Sequence, residues 1–286
     1  MSLFHESGIK KQELETGSNL RRAMDVSRKF PPDQRSNFQH LLETLDSNPN
    51  LLSAVSPRGR IRWGKLICRE LSDHFDLGSD KLEPDQRIFL VTLCDRRCCT
   101  PNDAKNIDVA GFISLLVAGL QGLSYLGMLE PAYYVNVSDG VRIYGKRLVS
   151  WHVHLLAWGT SREKIKKRIK RLNRKVLVPV ADGLAAAHQK CISKGKLASK
   201  VAYMLKSPKK AYRLGKVRWV MPDGKVTPRF KQWKDDLRPG DHLALFRLMQ
   251  DMHLDELAVG GGEGIAILRR VKRRALHNLP NQQHEF

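Results

Sequence analysis

The sequence predicts an α+β fold in which helices pack on one face of an antiparallel sheet. Short β-rich apolar runs alternate with segments of helical apolar spacing in the middle of the chain, and polar or turn-forming residues separate them. The expected order is strand, buried helix, strand, strand, basic helix, strand and a final helix. Elements that interleave in this way favour a layered α+β domain.

The first strand is predicted at residues 88–94, a run rich in β-branched and aromatic residues. The polar residues 95–97 that follow are expected to turn. The apolar stretch 107–129 includes Asp108, Gln121 and several glycines, so we expect a helix buried against the sheet and not a membrane span. A second strand is predicted at 130–137.

The third strand, at residues 150–158, contains two histidines separated by one apolar residue. Side chains alternate faces along a strand, so His152 and His154 leave the same side, about 6.6 Å apart. Two neutral imidazoles in this arrangement can share a divalent cation. The pair also occurs by chance on strands, with the rings bonded to their neighbours, so its surroundings decide between the two interpretations.

A carboxylate is expected beside the histidines. If the second and third strands form a hairpin centred near Val141, Glu130 lies opposite His152 and can act as a third ligand. Pro131 places the beginning of the second strand near Glu130 or leaves it a free edge there, so the register is uncertain by a residue or two.

The segment Arg162–Lys175 predicts a basic helix with an apolar stripe, opened by a capping box of Thr160 and Glu163. A strand follows at Val176–Val180 or at Ala186–Ile192, and the sequence leaves both open. The final helix carries a Tyr-x-x-Lys pair.

In that pair, Tyr203 and Lys206 are three residues apart and should share a face of a helix that ends before Pro208. A nearby ammonium group lowers the pKa of a phenol, which would make Tyr203 a usable nucleophile. The alternative is a core tyrosine beside a solvated lysine. Tyr212 lies beyond Pro208 and is expected to stay off the face of Tyr203.

The charge favours a polyanionic partner. The chain has 50 Lys and Arg against 29 Asp and Glu, a net charge of +21, and the excess is concentrated in basic clusters. A single basic helix is usually a solvated face, but several clusters favour contact with a phosphate backbone. The candidate DNA-binding residues are Lys164, Lys167, Arg168, Arg171, Lys209 and Lys210.

These motifs, taken in order, resemble those of the HUH endonucleases, and among them the single-tyrosine rolling-circle replication initiators of plasmids and phages. The first-strand motif is matched by Phe89–Cys94, although Cys94 stands where the family commonly has threonine. His152-Val153-His154 matches the metal motif, and Tyr203 to Lys206 matches the nucleophile motif. The resemblance covers about residues 85–215.

The resemblance implies a ferredoxin-like fold and metal-dependent nicking of single-stranded DNA. His152, His154 and Glu130 would hold Mg²⁺ or Mn²⁺, Tyr203 would form a 5′-phosphotyrosyl link and leave a free 3′-hydroxyl, and Lys206 would offset negative charge. The partners would be single-stranded DNA, double-stranded origin DNA, a host polymerase and a host helicase. A host helicase is expected because the Gly260–Gly264 run lacks the Lys-Ser/Thr of a phosphate-binding loop.

Two alternatives stay open. A relaxase or transposase would use the same chemistry, although relaxases usually place the tyrosine before the histidines. A non-catalytic DNA-binding regulator would rely on the basic helices and use the histidines only structurally.

The chain is expected to divide into a helical N-terminal region, 1–84, a nicking and joining domain, 85–215, and a C-terminal accessory region, 216–286, with a basic helix near its end. Helices are predicted at 36–45 and 63–75. The N-terminal region is a candidate DNA-binding accessory. Its basic and aromatic residues, which a solvated arginine face explains equally well, are Arg58, Arg60, Arg62 and Trp63.

A cytoplasmic location without membrane contact is expected, because residues 5–16 are polar and show no export signal. Five cysteines, an odd number, fit a reducing compartment. Cys94, Cys98 and Cys99 cluster, but their spacing is not that of a standard zinc site.

Overall fold

A computed structural model describes residues 52–75, 87–135, 147–181, 183–208 and 210–277. The predicted helix at 36–45 and the candidate residue Lys209 lie outside these ranges. The seven described helices are α1 (Pro57–His74), α2 (Val109–Val117), α3 (Arg162–Arg171), α4 (Leu197–Met204), α5 (Pro239–Met249), α6 (Leu254–Leu257) and α7 (Glu263–His277). The described strands are β1 (Ile88–Pro101), β2 (Ser124–Val135), β3 (Arg147–Trp158), β4 (Ala187–Ile192), β5 (Lys210–Val220), β6 (Val226–Asp236) and β7 (Ala258–Gly261).

The described strands form one mixed sheet in the order β4-β1-β3-β2-β5-β6, with β7 paired to the remaining part of the β2 edge. The pairings β1–β3, β1–β4 and β2–β3 are antiparallel. The pairing of β2 with β5 is parallel, so the expectation of a wholly antiparallel sheet is wrong at this one place. The fold class is α+β, as the sequence predicts.

The first strand is longer than expected. It continues through Asp95, Arg96 and Arg97 to Pro101, with a register shift between Cys94 and Cys99. Asp95 is buried in the strand, where it accepts hydrogen bonds from Arg97 and from the backbone N–H of Val178 at 2.8 Å. These partners compensate the carboxylate for its lost hydration, so the polar stretch extends the strand and does not turn.

The apolar stretch 107–129 also differs from the prediction. It holds the short helix α2, a turn, and then the beginning of β2 at Ser124. The helix begins at the N-cap Asp108, whose side chain accepts from the backbone N–H of Gly111. No helix among the described residues is long and apolar enough to cross a membrane.

Helices α3 and α4 begin or end differently from the prediction. Ser161, and not a box of Thr160 and Glu163, caps α3 by accepting from the N–H of Lys164. Of the two candidate strands after α3, the second is observed, as β4. Helix α4 ends at Met204, so Lys206 lies beyond the helix and the predicted shared helical face is wrong.

Helices α1 and α7, near the two ends of the described chain, pack together. Helix α1 begins at Pro57, six residues earlier than predicted, because proline is well suited to the first helical turn and Ser56 caps the N–H of Gly59. The buried carboxylate of Glu70 on α1 pairs with Arg270 and Arg274 on α7. The cluster of cations predicted near the C-terminus therefore supplies ion pairs inside the fold.

Strand β5 runs across residue 215, where the sequence suggested a boundary, and forms a hairpin with β6. The glycine run 260–264 also has a structural role. It forms β7 and the beginning of α7, and a Cβ at Gly264 would lie 1.8 Å from the backbone oxygen of Tyr125 on β2. Glycine is therefore required where α7 meets the sheet.

Candidate functional site

Three neighbouring strands place polar side chains on one face of the sheet. Within the antiparallel pairings, His154 lies opposite Thr92 of β1, and His152 lies opposite Glu130 of β2. Residues directly opposite each other in a ladder project to the same face, so the four side chains form one cluster. The register between Glu130 and His152 is the one expected from a hairpin centred near Val141.

The two imidazole rings face each other through their Nε2 atoms, which are 3.1 Å apart. On the far side of its ring, His154 places Nδ1 2.8 Å from the hydroxyl oxygen of Thr92. His152 places Nδ1 3.4 Å from the backbone oxygen of Ser150, which can only accept a hydrogen bond. Nδ1 of His152 therefore carries the proton, and its Nε2 lone pair points at His154.

Both histidines are held in the neutral form. Burial lowers the pKa of His152 to about 4. Burial, followed by the charges of His152 and Lys206, lowers the pKa of His154 well below its usual value. Two neutral rings with converging nitrogens are the state that binds a divalent cation, because metal binding then displaces no ring proton at neutral pH.

Glu130 completes this cluster with a carboxylate, one oxygen of which lacks a hydrogen-bond partner among the described residues. Its Oε1 atom is buried and accepts no hydrogen bond from the described residues. Burial raises the pKa of Glu130 well above its usual value, and the charges of Lys206 and Arg60 offset part of that rise. Ligand atoms of Glu130, His152 and His154 all lie within 4.8 Å of one another.

This group could hold a metal ion, because a cation would satisfy the buried carboxylate oxygen and accept lone pairs from the two facing ring nitrogens. Among the described residues it is the one cluster of three or more His, Cys, Asp or Glu with such spacing. Cys94, Cys98 and Cys99 are free cysteines and are not among the residues of this cluster.

Tyr203 stands beside the histidines. It lies near the end of α4, and its ring centroid is 4.8 Å from that of His154. Lys206 places its Nζ 3.7 Å from the centroid of the Tyr203 ring, above its face. The expected lowering of the phenol pKa is wrong for the metal-free protein. Burial and the negative charge of Glu130 raise the pKa of Tyr203 to about 12.

These residues line a cavity of about 250 Å³. Its walls are formed by Glu130, Pro131, Ala132, His152, His154, Tyr203, Lys206, Pro208, Lys210 and Tyr212. The cavity brings together the predicted metal-ligand residues, the predicted nucleophile and its lysine. It also includes Lys210, whose ammonium group pairs with Asp236 at 2.6 Å.

Tyr212 is a residue that sequence reasoning missed. It comes from β5, so it is off the α4 helix as predicted, yet it reaches the same cavity as Tyr203. Its ring packs against Tyr134 with centroids 5.3 Å apart. The parallel pairing of β2 with β5 causes this approach, and no local sequence signal reveals such a long-range pairing.

Arg60 is another such residue. Sequence reasoning treated it as a candidate DNA contact or a solvated arginine, but the side chain is buried. It donates from Nε to the backbone oxygen of Ala54 at 2.7 Å and from its guanidinium to the hydroxyl of Ser207. Helix α1 is thereby joined to the segment that follows Lys206.

The basic residues of α3 lie in a different place. Lys164, Lys167, Arg168 and Arg171 line a separate groove of about 730 Å³ between α3 and the turn after α2. Within the described part of the chain, no carboxylate lines this groove, and none of its residues lines the histidine cavity. Arg168 donates to the backbone oxygens of Gly119 at 3.3 Å and Gln121 at 2.5 Å, which fixes its guanidinium at the groove wall.

Comparison with known proteins identifies no relative. No protein-family model matches the chain, and neither the curated proteins nor the solved structures yield a significant match. The candidate function therefore has to be argued from the residues and their arrangement.

Proposed function

We propose that the chain is a nicking and joining endonuclease of the HUH class that acts as a rolling-circle replication initiator. The observation that carries this proposal is the meeting of Glu130, His152, His154, Tyr203 and Lys206 at one cavity. A metal-ligand set beside a tyrosine and a lysine is the equipment that tyrosine transesterification needs. The histidines, Tyr203 and Lys206 also follow one another along the chain in the order of the motifs that resemble those of the HUH endonucleases.

The arrangement of the central elements supports the finer fold proposal. The segment from β1 to β4 runs strand, helix, strand, strand, helix, strand, and its four strands lie in the order β4-β1-β3-β2 with antiparallel neighbours. This is the connectivity expected of a ferredoxin-like unit, so we assign that fold to residues 88–192. Helices α1 and α7 and the β5–β6 hairpin would be additions to it.

We assign Mg²⁺ or Mn²⁺ to the cluster of Glu130, His152 and His154, because a carboxylate with two imidazoles suits a hard or borderline divalent cation. Such a cation, when bound, polarises a phosphodiester and offsets its charge. Thr92 and the backbone oxygen of Ser150 orient the rings from behind. Neutral histidines at pH 7 keep both ring nitrogens ready for this role.

In the proposed reaction, the phenolic oxygen of Tyr203 attacks the phosphorus of a DNA phosphodiester. The bond between phosphorus and the 3′-oxygen breaks, the phenol releases its proton, and the departing 3′-oxygen takes one up. The product is a 5′-phosphotyrosyl link with a free 3′-hydroxyl, and the reverse attack rejoins the strand. Since the pKa of Tyr203 is raised to about 12, neutralising the charge of Glu130 would assist loss of the phenolic proton.

Lys206 has a supporting part in this scheme. Its ammonium group lies above the ring of Tyr203 and faces the same cavity, so it would offset charge on the phenolate or on the phosphate. The groove lined by α3 would hold the phosphate backbone elsewhere on the DNA, because four cations and no carboxylate of the described residues line it. The free 3′-hydroxyl would prime a host polymerase, with a host helicase opening the duplex in the cytoplasm.

The test is covalent capture. The protein is incubated with Mn²⁺ and labelled single-stranded fragments of the replicon that encodes it, and the products are separated on a denaturing gel. We expect a metal-dependent adduct that disappears with EDTA and in Tyr203→Phe, while DNA affinity stays nearly unchanged. Salt-sensitive binding without any adduct across the replicon would contradict nicking and favour a DNA-binding regulator.

A further inference from the structure

The β5–β6 hairpin contains an aromatic and basic surface that the proposed chemistry does not use. Among the described residues, β5 pairs with β2 only at 211–213, and β6 pairs only with β5. From Gly215 to the turn at Met221–Lys225 the two strands therefore form a two-stranded ribbon that extends from the sheet. Both faces of such a ribbon can be covered by another molecule, and the amino-acid composition of the ribbon indicates which kind.

Two tryptophans share one face of the β5–β6 hairpin, with Trp219 in the ribbon and Trp233 at its base. Arg213 lies opposite Trp233, Gly215 opposite Lys231, and Trp219 opposite Thr227, and directly opposed residues project to the same side. Trp219 is 49% exposed and Trp233 is 38% exposed. The other three tryptophans of the chain, Trp63, Trp151 and Trp158, are buried.

The ribbon holds the tryptophans in fixed places. A Cβ at Gly215 would lie 2.9 Å from the ring of Trp233, so the absence of a side chain there lets the indole lie across the strand. Lys231 places its Nζ 5.7 Å from the centroid of that indole. Trp233 pairs with Arg213, six positions along β5 from Trp219, which is about 20 Å at ~3.3 Å per residue.

The charge of the ribbon selects the partner. Between residues 214 and 233 the sequence has five basic residues, Lys216, Arg218, Lys225, Arg229 and Lys231, against one acidic residue, Asp223. That one carboxylate already pairs with Lys225. On the tryptophan face, Lys231 lies beside the indole of Trp233, whereas Lys216 and Arg218 occupy ladder positions of the opposite face. Exposed indoles on a basic ribbon fit a polyanion with accessible flat rings, because unpaired bases stack on aromatic side chains while the phosphates meet the cations.

We infer that the tryptophan face of the β5–β6 ribbon binds single-stranded DNA by base stacking, as a contact separate from the histidine cavity. The surface shares with the proposed function the premise that the chain handles single-stranded DNA, but it needs neither the metal ion nor Tyr203. In a duplex the base faces are covered by their neighbours, so the ribbon distinguishes unpaired from paired DNA. The two indoles would engage two bases of one strand.

The experiment uses the full chain with Tyr203→Phe in EDTA, so that no strand is cut. Tryptophan fluorescence is followed during titration with a thymidine 20-mer and, separately, with a hairpin duplex. We expect the single strand to quench the exposed indoles, and Trp219→Ala to weaken its binding about tenfold. Binding of the duplex should change by less than about twofold. Trp219→Phe, which keeps an aromatic ring, should recover most of the affinity.

Trp219 is the position to change first, because it lies near the tip of the ribbon, whereas Trp233 packs over Gly215. An equal loss of single-strand and duplex affinity in Trp219→Ala would overturn the stacking inference, and so would no loss at all. Sedimentation of the same variants provides a further check. A wild-type dimer that Trp219→Ala dissociates, with unchanged DNA affinity, would mean that the face binds a second copy of the chain. A failure of covalent capture in wild type would leave this result standing, since strand cleavage does not enter it.

Discussion

The hydroxyl oxygen of Thr92 on β1 lies 2.8 Å from Nδ1 of His154 on β3. If Thr92 accepts from Nδ1–H, the other ring nitrogen of His154 keeps its lone pair directed at His152 and Glu130. A residue that binds no metal itself would then decide which nitrogen of His154 is available. Partners of this kind commonly affect metal affinity as strongly as some ligands do.

Replacing Thr92 by valine should therefore weaken metal binding without unfolding the sheet. Valine keeps the shape of the side chain but removes the hydroxyl, so His154 loses the bond that orients its ring. We expect Mn²⁺ affinity, measured by calorimetry, to fall about 10- to 100-fold. Thr92→Ser is the matched control, because it retains the hydroxyl and should bind nearly as wild type. Equal affinities for the valine and serine variants would contradict the role of this hydrogen bond.

Glu130→Gln should reduce the stabilisation by Mn²⁺ without lowering the stability of the metal-free protein. The buried carboxylate oxygen lacks a hydrogen-bond partner among the described residues, and its pKa is raised by burial, so removal of the charge should leave the metal-free protein as stable as wild type or more so. At a Mn²⁺ concentration 100 times Kd, a bound ion stabilises the wild type by about 2.7 kcal/mol.

Thermal unfolding with EDTA and with Mn²⁺ measures both effects. We expect wild type to gain roughly 5–10 °C with Mn²⁺ and Glu130→Gln to gain much less. A glutamine variant that gains as much as wild type would show that Glu130 is not a ligand. A large loss of stability in EDTA would instead assign the carboxylate a structural role.

Two tyrosines line the cavity, and their variants should differ sharply. Tyr212→Phe keeps the ring that packs on Tyr134 and removes only a hydroxyl, so the yield of covalent DNA adduct should stay within about twofold of wild type. Tyr203→Phe should yield none. The labelled peptide from a digested adduct provides a direct reading. An adduct mapped to Tyr212 would transfer the nucleophile to β5 and disprove the assignment to Tyr203.

How much of the structure the sequence predicts depends on how far apart along the chain the interacting residues lie. The histidine strand and the position of Glu130 follow from strand alternation and from the symmetry of a hairpin, both of which are short-range. Asp95 was expected in a turn, but its partners Arg97 and the backbone N–H of Val178 retain it in β1. The second of these partners is 83 residues away, so local propensity gave the wrong answer.

The remaining parts of the site depend on contacts that sequence patterns do not encode. Tyr212 enters the cavity because β5 pairs with β2, and Arg60 meets Ser207 across 147 residues. Lys206 approaches Tyr203 from beyond the end of α4, where helical spacing no longer applies. The three-residue spacing therefore correctly predicted that Lys206 lies near Tyr203, but the prediction that both share a helix face was wrong. Each of these contacts requires the assembled sheet.

The metal-free protein should lose stability as the pH falls from about 6.5 towards 4. In the unfolded chain a histidine takes up a proton near pH 6.5, whereas in the folded protein burial lowers the pKa of His152 to about 4 and also lowers that of His154 well below its usual value. The unfolded state then binds more protons, so the free energy of unfolding decreases by up to about 1.4 kcal/mol per pH unit for each histidine. Above pH 7 both rings are neutral in both states, and they add nothing to the slope.

Chemical denaturation in EDTA at pH 5, 6, 7 and 8 measures this slope, and His152→Gln serves as the comparison because it cannot take up the proton. We expect the slope between pH 5 and 6.5 to be shallower in His152→Gln than in wild type. Glu130 has the opposite effect on the slope, because a carboxyl group with a raised pKa lowers the free energy of unfolding as the pH rises. Both proteins contain Glu130, so most of its contribution cancels when the slope of His152→Gln is subtracted from that of wild type. Protons also compete with Mn²⁺ for the same nitrogens, so stabilisation by Mn²⁺ should be smaller at pH 5 than at pH 7. Identical slopes for wild type and His152→Gln would mean that His152 titrates normally in the folded protein. The metal assignment, which depends on a pair of neutral imidazoles, would then lose its support.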